Sequence, residues 1–212
     1  MYKLNYKTSE GNREINMVNQ WDEVTISQFI EFQQILEANI SDTYKAVNLI
    51  SVFTGEEVSY LEDLPIVVYK KLYNQLDFIS TNIPTIKYKN EYILNGNKYM
   101  VNADITGIST AQYIDYQAYS KEGNLIDMMS LWLIPEGHSY GDGYDLKKVK
   151  KDISQMKLID VRAVSFFFRV QLAAFILIMK DYSKKELKKE MSKKDIRQVE
   201  IHFNNMASSL LS

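Results

Sequence analysis

The chain has 212 residues, 46% of them hydrophobic and 25% charged, with a formal net charge of −2. That composition supports a sizeable core, argues against wholesale disorder, and leaves no global pull toward nucleic acid or an anionic membrane. The absence of cysteine removes disulfides, thiolate chemistry and Cys-ligated zinc together.

The first ten residues lack an apolar signal core, so export by a signal peptide is not expected. Tyr2, Leu4 and Tyr6 alternate with polar residues, Ser9 to Asn12 read as a turn, and Ile15 and Met17 alternate again, which predicts a hairpin. Thr25 with Gln28 forms a capping box that opens a helix to about Glu37, with Ile26, Phe29, Ile30 and Leu36 facing inward. A second helix is expected from Asp42 to Thr54, with Tyr44, Val47, Ile50 and Phe53 on one face and Gly55 as its left-handed stop. Glu56 to Leu64 read as a turn. Pro65 suits a first helical position, and Tyr69, Leu72, Tyr73, Leu76 and Ile79 carry an amphipathic helix to about Ser80.

From Tyr88 the period returns to two. Asn95-Gly96 between apolar runs is a strong hairpin signal, because a type I′ turn needs positive φ at both central positions. Ser109 with Gln112 repeats the capping box and opens a helix to about Tyr119. Asn124 caps another, with Leu125, Met128, Met129, Trp132 and Leu133 as its apolar face and Pro135 as its end. Asp145 caps a helix from Leu146 to Met156. Val161 to Met179 is almost continuously apolar and is expected to form a central, largely buried helix. Arg162, Ser165 and Arg169 give it a polar stripe that disfavours a membrane span.

The two halves resemble each other. Thr25 to Gln33 aligns without gaps with Ser109 to Gln117, and seven of the nine positions are identical or chemically similar. The expected fold is therefore mainly α with small antiparallel β-hairpins (α+β), as two pseudo-repeats of hairpin plus three helices over 1–81 and 82–158. Residues 159–212, the apolar helix and an amphipathic C-terminal helix, are expected to pack as one unit. The two hairpins are expected to pair into one small sheet.

Ser183 to Glu186 and Ser192 to Asp195 both read as helix starts. Beyond them Ile196, Val199, Phe203, Met206 and Leu210 step by three and four, a narrow seam for one partner helix. The lysines around it are interleaved with acids, as on a solvated helix face.

No motif carries catalysis. The loop Pro135 to Asp145 gathers Gly137, Gly141, Gly143, His138 and three carboxylates, but its spacing matches neither an EF-hand nor a His-x-x-x-His ligand set. His138 and Ser139 lack a triad context, since the only other histidine is His202. Neither glycine-rich nucleotide-binding motif is present. The expectation is no enzyme, no cofactor and no metal. The candidate protein interface comprises Ile196, Val199, Phe203, Met206 and Leu210 with His138, Tyr140 and Tyr144 of the loop.

The run Leu49 to Gly55, then Leu61, Leu64-Pro65, Tyr69 and Leu72, resembles a short pattern of the tail assembly chaperones of tailed bacteriophages. The wider layout, with Asn95-Gly96 and Tyr99 before the Gln112 to Asp115 helix and Ile134-Pro135 before the glycine loop, is similar to small morphogenesis proteins of phages infecting Bacteroidetes, including crAss-like phages. The resemblance implies a non-enzymatic structural component of the particle: a head-tail connector, a tail ring or a packaged protein. Its partners would be other phage structural proteins, with a homo-oligomer allowed. No small-molecule substrate or membrane is implied, and nucleic acid is not indicated. Such a protein is made in the host cytoplasm and found in the virion. Two alternatives stand beside it: a tail assembly chaperone absent from the mature virion, and a nucleic-acid-binding or regulatory phage protein.

Overall fold

Tyr2–Thr8 (β1) and Gly11–Met17 (β2) pair antiparallel, with Leu4 opposite Ile15 and Tyr2 opposite Met17. Leu4, Ile15 and Met17 are buried while their neighbours along the strands are exposed, the period-two pattern of a sheet with one face in a core. The computed structural model describes residues 1–8, 11–102 and 107–187, with 197, 198, 200, 201, 204, 205 and 208 beyond. For 172 and 174–187 it describes the helical backbone only.

Helix α1 (Ile26–Glu37) opens on the expected capping box: Thr25 Oγ1 accepts from the Gln28 N–H at 3.3 Å and Gln28 Oε1 accepts from the Thr25 N–H at 3.0 Å. Helix α2 (Asp42–Thr54) starts on Ser41 and stops at Gly55, whose φ of +78° lies in the left-handed region that favours glycine. A short helix α3 (Val58–Glu62) occupies the expected turn. Then come α4 (Ile66–Tyr73) and a 3₁₀ segment, Asn74–Ser80, where one continuous helix was expected. The tighter winding brings both Leu76 and Phe78 into the core, and Phe78 meets the rings of Trp21 and Phe53 at 5.2 Å each. Burying that ring is the gain that overrides continued α-helical winding.

In the second half β3 (Glu91–Leu94) and β4 (Asn97–Val101) flank Asn95-Gly96, with φ of +49° and +77° as a type I′ turn requires. Helix α5 (Thr110–Glu122) starts on Ser109, and α6 (Leu125–Trp132) on Asn124. Leu133, assigned to the α6 face from sequence, instead begins a strand, β5 (Leu133–Pro135), antiparallel to β4. The two hairpins lie in separate sheets, β1-β2 and β3-β4-β5, not in one. Helix α7 (Leu146–Ser154) follows, its first turn capped by Asp145, which accepts from the Lys148 N–H at 3.1 Å.

Helix α8 (Leu158–Leu187) contains the expected central helix and runs uninterrupted through Ser183, so Ser183 is not a helix start. Over 158–171 and at 173, where its side chains are described, it is one-sided where a largely buried helix was expected. Val161, Ala163, Val164, Phe168 and Ala173 are buried, while Arg162, Phe166, Arg169 and Val170 form an exposed strip. Helical geometry imposes this, since positions four, seven and eight apart share a face.

The mainly helical α+β class is as expected, with two compact units. Unit 1 is 1–86 with 151–161, and unit 2 is 87–150 with 162–212. They are not consecutive segments, because residues around the α7–α8 junction return to unit 1. The Ile26 N–H donates to the Met156 carbonyl at 2.9 Å, the Leu158 N–H to the Val24 carbonyl at 2.8 Å, and Ser27 Oγ to the Ser154 carbonyl at 3.1 Å.

The likeness of the two halves extends from sequence into hydrogen bonding. In unit 1, Gln28 Nε2 donates to the Val52 carbonyl at 3.0 Å and the Val18 N–H to the next carbonyl, Phe53, at 2.8 Å. In unit 2, Gln112 Nε2 donates to the Leu131 carbonyl and the Asn102 N–H to the next, Trp132, both at 2.8 Å. The ring pairs match as well, Phe32 with Phe53 at 6.2 Å and Tyr116 with Trp132 at 5.9 Å. From strand end through first helix the offset is constant at 84 residues (18 to 102, 28 to 112, 32 to 116). Each glutamine thus ties the start of one helix to the end of the next, a tie visible only in the folded chain. Gln112 is 2% exposed. Replacing it with leucine is expected to leave the Leu131 carbonyl short of a donor and cost about 1–3 kcal/mol, read by urea unfolding.

Candidate functional site

The loop from Pro135 to Asp145 belongs to unit 2 and is ordered by its own sequence. The Asp142 carboxylate accepts from the Ser139 N–H, and the Asp142 N–H donates to the Ser139 carbonyl at 3.1 Å, closing a tight turn. Tyr140 is half-buried, and its hydroxyl donates to the Asp115 carboxylate on α5. Burial and the acceptor Asp115 both push the Tyr140 pKa up, because the phenolate would lose its water and face a second anion. His138 and Tyr144 meet edge to face at 5.8 Å between ring centres.

The structure therefore brings His138, Tyr140 and Tyr144 together, as one ordered loop lying on α5. His138 is exposed, whereas Tyr140 and Tyr144 are half-buried, so these tyrosines pack the loop as much as they face outward. Beside the loop is a polar cleft of about 430 Å³ lined by Asn102, Ser109, Gln112, His138, Ser139 and Tyr140 among others. Gln112 is committed to the Leu131 carbonyl and Tyr140 to Asp115, so two of the cleft's polar groups already have partners. Among the described residues no three His, Asp or Glu side chains gather as a metal site would need. The other interface candidates, Ile196, Val199, Phe203, Met206 and Leu210, lie outside the described residues.

A second surface, on unit 1, was missed from sequence. Tyr44 and Val47 of α2, Leu61 of α3, Leu64, and Ile66 and Tyr69 of α4 line an apolar groove of about 320 Å³, with Glu62 among its residues. Ile66 and Val67 are each 63% exposed, and Tyr44 and Tyr73 are also exposed. Sequence periodicity placed Tyr44 and Tyr73 on the apolar faces of their helices. The structure gives the inward positions to Val47, Val68 and Leu72, because an α-helix turns about 100° per residue and one core face cannot take all its apolar residues. The available signal was the run Ile66-Val67-Val68: three consecutive apolar residues at a helix start cannot all be buried on one side. On α1, Leu36 is likewise exposed although it was assigned inward, and Phe32 takes the buried place.

Among the described residues no helix is long and apolar enough to cross a membrane. No family model, curated protein or solved structure matches the chain.

Proposed function

We propose that this protein is a non-enzymatic structural component of a tailed phage particle and acts through protein contacts made by unit 1. The supporting observation is the apolar surface of α2 and α4. Tyr44, Ile66, Val67 and Tyr73 are all exposed, Tyr44 and Ile66 beside the apolar groove, and exposed apolar surface of this kind marks contact sites. The placement in a particle comes from the wider sequence likeness to phage morphogenesis proteins. The narrower likeness to tail assembly chaperones has a simpler source. Leu49, Ile50, Phe53, Leu61 and Leu72 are all core and Gly55 is a helix stop, so those residues serve packing and leave the surface to carry the role.

The test is quantitative mass spectrometry of gradient-purified particles. A defined copy number, in fixed ratio to the portal, supports the reading. Absence from particles, with presence in the infected cell, overturns it in favour of an assembly factor. The double substitution Ile66→Asp with Val67→Asp is expected to change stability by no more than about 0.5 kcal/mol per site, since both side chains are exposed, and to abolish incorporation into particles. A variant that is folded and still incorporated would move the contact surface elsewhere.

A further inference from the structure

Duplicated units allow one to report on the other. In unit 2 the outer edge of β4 is paired throughout: the Glu136 N–H donates to the Lys98 carbonyl at 3.0 Å, Met100 lies opposite Ile134 of β5, and the Asn102 N–H reaches the Trp132 carbonyl. At the 84-residue offset these positions are Glu14, Asn16 and Val18. Val18 repeats its part of the pattern by donating to Phe53. Outward main-chain groups alternate along a strand, so Glu14 and Asn16 also point their N–H and C=O away from β1. Neither has a main-chain partner on that side among the described residues, and both are exposed.

The reason unit 1 does not fill this edge itself lies one residue past the shared hydrogen bond. After Trp132 the backbone of Leu133 is extended (φ −98°, ψ 97°) and the chain runs back along β4 as β5. After Phe53, helix α2 continues to Thr54, and the left-handed Gly55 turns the chain into α3. Unit 1 thus keeps the edge but lacks the strand that covers it in unit 2.

From this geometry we infer that the outer edge of β2 at Glu14 and Asn16 receives an extended strand from another protein, antiparallel to β2. Its chemistry follows from the register of β5, where Pro135 faces Tyr99 and Leu133 faces Val101. The incoming residues opposite Ile15 and Met17 share the core-facing side of the sheet and are apolar. The residue opposite Asn16 lies on the outer side next to Glu14, in a unit with 14 acidic against 8 basic residues, and is Lys or Arg. The occupant is therefore an apolar-basic-apolar strand, bound through main-chain hydrogen bonds with alternate side chains giving specificity. The charges of Arg13 and Glu14 keep the edge from pairing indiscriminately.

This inference deepens the proposed role in protein contacts, and its test uses purified protein in solution, so failure of the particle assignment would leave it separately measurable. The probe is a synthetic peptide alternating leucine with lysine over about seven residues. Amide exchange by NMR is expected to slow by about tenfold or more at Glu14 and Asn16, with little change at Ile15, whose N–H already faces β1. A peptide of equal composition with its leucines in one block is expected to have no effect. Asn16→Pro, which deletes an outward N–H, is expected to abolish the response. Should that variant fail to fold, the exchange pattern of the native protein decides alone. Unchanged exchange at Glu14 and Asn16, or equal protection by the block peptide, overturns the inference. Protection that grows with protein concentration alone overturns it too, by placing a second copy on the edge.

Discussion

Trp21→Ala is expected to cost about 3–5 kcal/mol, the range for removing a large aromatic from a packed core. Trp21 is buried and meets Phe78 at 5.2 Å, Phe32 at 5.9 Å and Phe29 at 6.3 Å, each close to edge on. Its indole N–H also donates to the Thr81 carbonyl at 3.0 Å. Alanine would open a cavity ringed by phenylalanines that cannot collapse together without leaving their own partners, and would strip Thr81 of its donor. Urea unfolding followed by far-ultraviolet circular dichroism measures the loss. A loss below about 1 kcal/mol would mean that the Trp21 cluster does not organise unit 1. Trp21→Phe separates the two contributions, because it retains a ring and deletes the donor, and it should fall well short of the alanine loss.

Trp132→Ala is expected to have a comparable effect in unit 2. Trp132 stacks on Phe168 of α8 at 4.1 Å with 15° between the planes, and Tyr116 lies against it at 5.9 Å. Its ring touches both α5 and α8, so truncation to alanine is again expected to cost about 3–5 kcal/mol. Trp132→Phe is expected to cost less than about 1.5 kcal/mol. The equivalent place in unit 1 is held by Phe53, which pairs with Phe32 as Trp132 pairs with Tyr116, and the expectation rests on that correspondence. The protein has two tryptophans, one in each unit, so in the Trp21→Phe protein the fluorescence of Trp132 reports unit 2 alone. A Trp132→Phe loss as large as the alanine loss would break the equivalence of the two units.

Much of the candidate surface was illegible beforehand, and the reason differs from place to place. On α4 the sequence shows more apolar residues than one helical face can bury, so it reveals an excess without saying which residues are left over. Val68 and Leu72 are buried, and Ile66, Val67 and Tyr73 are left outside. Around His138, Tyr140 and Tyr144 the loop was recognised, but the bond from Tyr140 to Asp115 spans 25 residues and no local pattern announces it. Hairpins imply edges that can take a strand, but that β2 rather than β4 keeps its outer edge open among the described residues is seen only in the folded chain.

Local sequence suffices for the elements whose hydrogen bonds close within a few residues. Thr25, Ser41, Ser109 and Asn124 start helices, Gly55 ends one, and Asn95-Gly96 makes a type I′ turn, because side-chain caps and left-handed backbone act on the nearest peptide groups. The likeness of Thr25 to Gln33 with Ser109 to Gln117 likewise pointed to duplication before any contact was known. Tertiary structure alone decided that Leu133 leaves its helix for a strand, that Asn74–Ser80 winds as 3₁₀, that residues 151–161 return to unit 1, and that Gln28 and Gln112 reach a second helix. Each of these depends on a partner far away in the chain, such as the edge of β4, the rings of Trp21 and Phe53, or the carbonyls of Val52 and Leu131. The free energy of meeting such a partner exceeds the few tenths of a kcal/mol by which local propensity prefers one backbone state to another.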